Sequence, residues 1–264
     1  MNGKQILSAE LREIQLSLLG KVDEYCRKNN LRYSLGGGTL LGAVRHGGYI
    51  PWDDDIDLMM PRPDYDKFLD GFDGQYENID VIHYRKDPKC SKPFARICDN
   101  RTIFVETMQK CGVNIEIWAI DGLPEGDKEI SAFFDKFDYE VSKLVRSTDL
   151  LGVKQGYISV FIKQIIKKII DPSRKEAVQR FQNFITSYDF EHSKYAACVM
   201  GAYRLKEVMN TDVFKHYIEL PFEGTNYMVI EDYDSYLKKH YGNYMELPPI
   251  EKQNSKHTFE AYWI

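Results

Sequence analysis

Asp53-Asp54-Asp55, followed by Ile56 and Asp57, concentrates four carboxylates in five residues. Asp55 and Asp57 stand two apart at the entry to the apolar run Ile56-Asp57-Leu58-Met59-Met60, and the two-residue period of a strand puts both on one face. Two anions that close repel each other, so the spacing makes physical sense when a divalent cation with a taste for hard oxygen ligands lies between them. A solvated acidic loop is the alternative for such a run taken alone. Its neighbours favour the cation: Ile50-Pro51-Trp52 precedes the acids, an apolar strand follows them, and Gly36-Gly37-Gly38-Thr39 lies shortly upstream. These glycines open a helix, so their N–H groups and the positive end of its dipole suit a phosphate, with the Thr39 hydroxyl as a further donor. A plain tight turn is the other reading. Arg45, just past that helix, brings a fixed charge suited to phosphate oxygens, or else is an exposed surface arginine. A glycine turn and a carboxylate pair on neighbouring strands are what metal-dependent phosphoryl chemistry requires.

The elements that position these residues follow from periodicity. Leu11, Ile14, Leu18, Val22 and Tyr25 recur at helical spacing, which predicts a helix from Ser8 to Asn29 without a capping box at its start. Leu31 to Leu35 alternates as a strand into the glycine turn, and Leu40 to Val44 continues as a short helix. Ile56 to Met60 reads as a strand stopped by Pro61 and Pro63, and Asp64 to Phe72 as a helix. Val113 to Ile120 alternates again and ends at Asp121-Gly122-Leu123-Pro124, a strand followed by a turn. Ser131 to Val145, Lys154 to Ile170 and Arg174 to Tyr188 carry helical periodicity, so the second half is expected to be mainly helical. The fold class is therefore α+β: a small mixed sheet flanked by helices in residues 1–146, and a helical part over 147–264 packed on it. The boundary is expected in the loop from Ser147 to Gly156.

Composition narrows the function. The chain has 264 residues, 35 Lys+Arg against 40 Asp+Glu and a net charge of −5, so no global positive field draws it to nucleic acid and any phosphate site is local. Neither a signal peptide nor an eighteen-residue apolar run is evident, and a membrane span is not expected. Cys26, Cys90, Cys98, Cys111 and Cys198 are odd in number and form no C-x-x-C pair. They read as reduced thiols of a cytoplasmic protein. The histidines His46, His83, His192, His216 and His240 show no ligand spacing, so a zinc site is not expected. Lys154 to Ile170 is basic and amphipathic; it reads as a core-facing helix with its lysines in water, with peripheral contact to an anionic membrane as the alternative. Eighteen Tyr, 14 Phe and 3 Trp make the chain rich in rings, which serve packing first and can also hold cations.

The segment from Gly37 to Asp57 resembles the signature of the LicD family of phosphorylcholine transferases, related to fukutin and the fukutin-related proteins and built on the nucleotidyltransferase fold. The resemblance extends to Ile115-Glu116-Ile117-Trp118-Ala119-Ile120-Asp121-Gly122-Leu123-Pro124 and, more faintly, to Tyr241-Gly242-Asn243-Tyr244 and Leu247-Pro248-Pro249. It implies that Glu116, a Glu where the family usually has Asp, is the third carboxylate of the fold. The tail Glu251 to His257 is less basic than the family's, so no catalytic role passes to His257. The resemblance further implies that Asp55, Asp57 and Glu116 hold Mg²⁺ or Mn²⁺ against the diphosphate of a CDP-linked donor such as CDP-choline. Glu116 is either a ligand or the base for a glycan or lipid-linked glycan hydroxyl, and CMP leaves. Asp53 and Asp54 would position waters or the acceptor, Arg96 a phosphate, and Trp52 the head group. Nucleotidyl transfer from an NTP to a sugar phosphate is the enzymatic alternative, and a non-catalytic binding subunit the other.

Overall fold

The computed structural model describes residues 3–90, 92–105, 111–147, 173–254 and 260–264. The expected 154–170 helix, most of the expected boundary loop and His257 lie outside the described residues. Among these residues the chain forms six helices and mixed sheets, as the α+β expectation requires.

The central sheet has the order β2 (Ser34–Leu35), β3 (Asp57–Pro61), β7 (Asn114–Leu123), β5 (Ala95–Asp99), β4 (Ile79–Ile82). Strands β3 and β7 run parallel with Asp57 opposite Glu116, and β5 runs antiparallel to β7 with Arg96 opposite the same Glu116. Residues in register across neighbouring strands share a face. Asp57, Glu116 and Arg96 therefore form one row across three strands.

Helix α1 (Ser8–Lys28) buries the stripe Leu11, Ile14, Leu18 and Val22; its N-cap Leu7 makes no side-chain cap, in keeping with the weak start signal. It packs on β7 and β5, while α3 (Arg62–Gly71) packs on β7 and β3. Helix α2 (Gly37–His46) begins directly after β2 and ends at Gly47 in the left-handed conformation. One hydrophobic core joins Leu19, Leu35 and Leu58 to Phe214, Phe222 and Leu237, so residues on both sides of 147 fill it. A second cluster joins Phe133, Phe134 and Phe137 of α4 (Asp127–Arg146) to Phe181 and Phe184 of α5 (Arg174–Ile185). Ser173 and Glu176 close a capping box at the start of α5.

Two features differ from the sequence expectation. Strand β7 does not turn at Asp121 but runs to Leu123, because β8 (Tyr195–Ala197) pairs with Asp121, Gly122 and Leu123. Beyond α5 the described chain holds, besides α6 (Tyr233–Tyr241), the hairpin of β10 (Tyr217–Phe222) and β11 (Thr225–Ile230) and the short strand β9 (Met209–Asn210) paired with β8. A further small sheet orders β1 (Gln5–Ile6), β12 (Ala261–Trp263) and β6 (Thr102–Phe104), tying the two ends of the chain together.

Candidate active site

The site forms where the segment after α2 doubles back along it. The Asp57 N–H donates to Thr39 Oγ1 at 2.9 Å and the Gly36 N–H to the Asp57 carbonyl at 2.8 Å, which fixes the entry to β3 against the first turn of α2. The Glu116 N–H reaches the Ile56 carbonyl at 2.9 Å, so the extended backbone begins before the strand. Ile56 is fully buried between the two acids.

Carboxylates, rather than open space, face the glycines. A Cβ on Gly38 would stand 2.7 Å from Asp53 Oδ2, and one on Gly37 3.5 Å from Asp57 Oδ2. Gly37 also has φ +47°, in the left-handed region that favours glycine. The positive end of α2 therefore stabilises Asp53 and Asp57, and the Thr39 hydroxyl oxygen holds the backbone at the entry to β3 by accepting from Asp57 N–H. Tyr236 adds its hydroxyl to the same helix start, accepting from the Gly37 backbone.

The acids are crowded. Burial first, then repulsion by Asp57 and Asp53, pushes the Asp55 carboxyl up to about 9. Among the described residues no group of three or more His, Cys, Asp or Glu has metal-holding geometry. Asp55 and Asp57 still fit Mg²⁺, which commonly takes one or two carboxylates and completes its shell with substrate phosphates and water. Glu116 accepts from Arg96 Nε at 3.2 Å, so the structure gives it a cationic neighbour in the row beside Asp57. Trp118, next on the same face of β7, donates from Nε1 to Asp57 Oδ1 at 3.0 Å.

Arg45 and Trp52 lie elsewhere. Arg45 is in the last turn of α2, about 12 Å along the axis from Gly37 at 1.5 Å per residue. Its Nη1 donates to the carbonyls of Tyr244 and Glu246 at 2.7 and 3.2 Å, clamping the C-terminal segment. Trp52 packs edge-on to His46 at that same end, with ring centroids 6.3 Å apart. The length of the ten-residue helix and its two carbonyl partners hold Arg45 away from the first turn of α2, whereas Trp52, next to Asp53 in the chain, turns its ring to His46.

Residues 30–143 match the family model described as LicD/FKTN/FKRP, nucleotidyltransferase domain. The lipopolysaccharide cholinephosphotransferase LicD of Haemophilus influenzae is 32% identical over 265 residues, 96% of this chain and 97% of that protein. The chain belongs to the LicD family. The human ribitol 5-phosphate transferase FKRP is 68% identical over 28 residues, 11% of this chain and 6% of that protein. An uncharacterised protein of Rickettsia prowazekii is 42% identical over 64 residues, 24% of this chain and 22% of that protein.

The acids and Arg96 of this LicD-family chain fall within the matched stretch. Other residues of the site escape a local reading. Arg12 Nη2 donates to the Asp53 carbonyl at 2.8 Å, and Gln15 Nε2 to the Asp54 carbonyl at 2.9 Å, so α1 holds the acidic segment by its backbone. Gln15 is 1% exposed within the apolar stripe of α1, and that polar residue on a buried face was the available signal. From beyond residue 147 come Tyr203, Glu207, Tyr236, His240 and Tyr241, which with Trp118 and Asp57 line a cavity of about 210 Å³. His240 sends Nδ1 to the Tyr236 carbonyl and Nε2 to Glu207 Oε2, each at 2.8 Å. Read from spacing alone, Tyr236 and Tyr241 are packing rings with a cation-holding role as the alternative, and His240 has no ligand spacing; only the fold gathers them at Asp57.

Proposed function

We propose that the chain transfers phosphocholine from a CDP-linked donor such as CDP-choline to a hydroxyl of lipopolysaccharide or a similar cell-surface glycan precursor, releasing CMP. The observation that carries this reading is the likeness to the Haemophilus cholinephosphotransferase over nearly the whole of both chains. The crowded acids at the start of α2 agree with it.

Asp55 and Asp57 would hold Mg²⁺ or Mn²⁺, and the bound ion would draw charge from the phosphate oxygens as the bond to CMP breaks. The chain's own residues supply the order. Trp118 fixes the Asp57 carboxylate through its indole N–H. Arg12 and Gln15 set the backbone of Asp53 and Asp54, which orient water or the acceptor. Glu116, oriented by Arg96, takes the proton from the acceptor hydroxyl, and Arg96 offers its remaining donors to a phosphate oxygen. In this reading residues 1–146 form the catalytic core and the later part completes the site. A cytoplasmic location, read from five cysteines of odd number without a C-x-x-C pair, goes with the proposal.

The test incubates the full chain with Mg²⁺ and a panel of CDP-choline, CDP-ethanolamine, CDP-glycerol and CDP-ribitol, following CMP in the presence of a lipopolysaccharide acceptor. CMP release with CDP-choline that stops in EDTA supports the reading; no turnover of any donor sinks it. Because the matched family model is described as a nucleotidyltransferase domain, CTP with a sugar phosphate is the control, and pyrophosphate release there would favour nucleotidyl transfer.

A further inference from the structure

The cavity beside Asp57 has the make-up of a cation site. At about 210 Å³ it falls below the roughly 300–1,000 Å³ of pockets that bury a drug-sized ligand. It admits a small group, not a nucleotide diphosphate. Trp118, Tyr203, Tyr236 and Tyr241 are among the residues that wall it. Phe94 stacks on one face of Trp118, with centroids 4.1 Å apart and planes at 27°, which fixes the ring where it lines the cavity. Tyr203 and Tyr241, both lining the cavity, meet edge to face at 86° with centroids 6.2 Å apart. Lys206 Nζ lies 5.7 Å from the centroid of Tyr203, so this ring already accepts a cation.

The charged lining is acidic. Asp57 and Glu207 line the cavity, Glu207 paired with the lining His240, and no Lys or Arg is among its lining residues, which leaves Asp57 to carry the negative charge of the lining. His240 braces Glu207, which is 5% exposed, and the Tyr203 backbone N–H also donates to Glu207 Oε1 at 3.3 Å. A primary ammonium seeks hydrogen-bond acceptors, whereas a quaternary ammonium has no N–H and is held by ring faces and a nearby negative field. Asp57 belongs to both the carboxylate cluster and the cavity wall, so a short tether joins a phosphate at one to a head group in the other.

We propose that Trp118, Tyr203 and Tyr241 hold the quaternary ammonium of the donor's choline group, with Asp57 supplying the negative field. The proposal rests on the phosphocholine reading above and assigns its specificity residues in place of Trp52, whose ring packs on His46 instead.

Calorimetric titration of the full chain in Mg²⁺ with CDP-choline, CDP-ethanolamine and CMP tests it. Wild type should bind CDP-choline more tightly than CDP-ethanolamine. Tyr203→Leu and Tyr241→Leu should each weaken CDP-choline about tenfold, equivalent to about 1.4 kcal/mol, and leave CMP within twofold. Tyr203→Phe, which keeps the ring, should retain wild-type affinity. Unchanged CMP binding also certifies that each variant is folded. Equal loss for CMP and CDP-choline, or no loss for either, overturns the cage while wild-type binding of CDP-choline leaves the transferase reading standing. A wild-type chain that binds CMP but gains nothing from the choline group overturns both.

Discussion

Replacing Asp55 with Asn should stabilise the chain in EDTA and abolish its response to Mg²⁺. Burial, then repulsion from Asp57 and Asp53, lifts the Asp55 carboxyl from 3.8 to about 9. Between those values the folded chain keeps a proton that the unfolded chain has lost. Stability therefore falls as pH rises from about 4 to about 9, and the full penalty is present above that window. At pH 7, which lies 3.2 pH units above 3.8, ~1.36 kcal/mol per unit sets a ceiling near ~4 kcal/mol. Water and counter-ions at the site reduce this to about 2 kcal/mol, worth about 4–8 °C in a chain of this size. The assay is thermal unfolding of wild type and Asp55→Asn in EDTA at pH 5 and pH 8, repeated with Mg²⁺. Asp55→Asn should melt higher in EDTA, by a margin that widens toward pH 8, and Mg²⁺ should raise only the wild type. Parallel melting curves at both pH values, or equal Mg²⁺ shifts, would refute the electrostatic reasoning.

Titrating Mg²⁺ should change tryptophan emission through the Trp118 Nε1 bond to Asp57 Oδ1; Trp118→Phe should remove most of that change, although Trp52 and Trp263 remain. Gly38→Ala puts a Cβ 2.7 Å from Asp53 Oδ2, so turnover should fall at least about tenfold while urea unfolding shifts by no more than ~1 kcal/mol, since the contact is the end of a side chain. Arg62 meets Asp121 with two hydrogen bonds, 2.6 and 3.0 Å, in a pair only 7% and 1% exposed. Arg62→Ala strands a buried carboxylate and should cost about 3–5 kcal/mol in urea unfolding; a loss under ~1 kcal/mol would mean the pair is not closed in solution.

The acidic strand entry was legible because its signal is local. Four aspartates, a glycine turn and an apolar run fall within 25 residues, and strand alternation alone places Asp55 and Asp57 together. The helices α1 and α4 were legible for the same reason. Strand β7 was misread at its end because its extra length depends on β8, over 70 residues later. The β10–β11 hairpin was hidden by its turn: Glu223 sits at φ +48°, a conformation its own type disfavours. Tertiary bonds hold it there, from the Glu223 N–H to the Gly47 carbonyl at 3.0 Å and from the Tyr49 N–H to Glu223 Oε1 at 2.9 Å. Arg45 was read as a phosphate ligand from its place after the glycines, but helix length, not sequence distance, decides reach. The cavity rings were illegible for the opposite reason, since Trp118 and Tyr203 meet only through the fold.

The most direct measurement is the mass of the acceptor. Wild-type chain, Mg²⁺, CDP-choline and a lipopolysaccharide lacking phosphocholine should yield acceptor heavier by one phosphocholine, with one CMP released for each addition and none from Asp57→Ala. An unmodified acceptor with CDP-choline, or activity in Asp57→Ala equal to wild type, would contradict the assignment of this site to phosphocholine transfer.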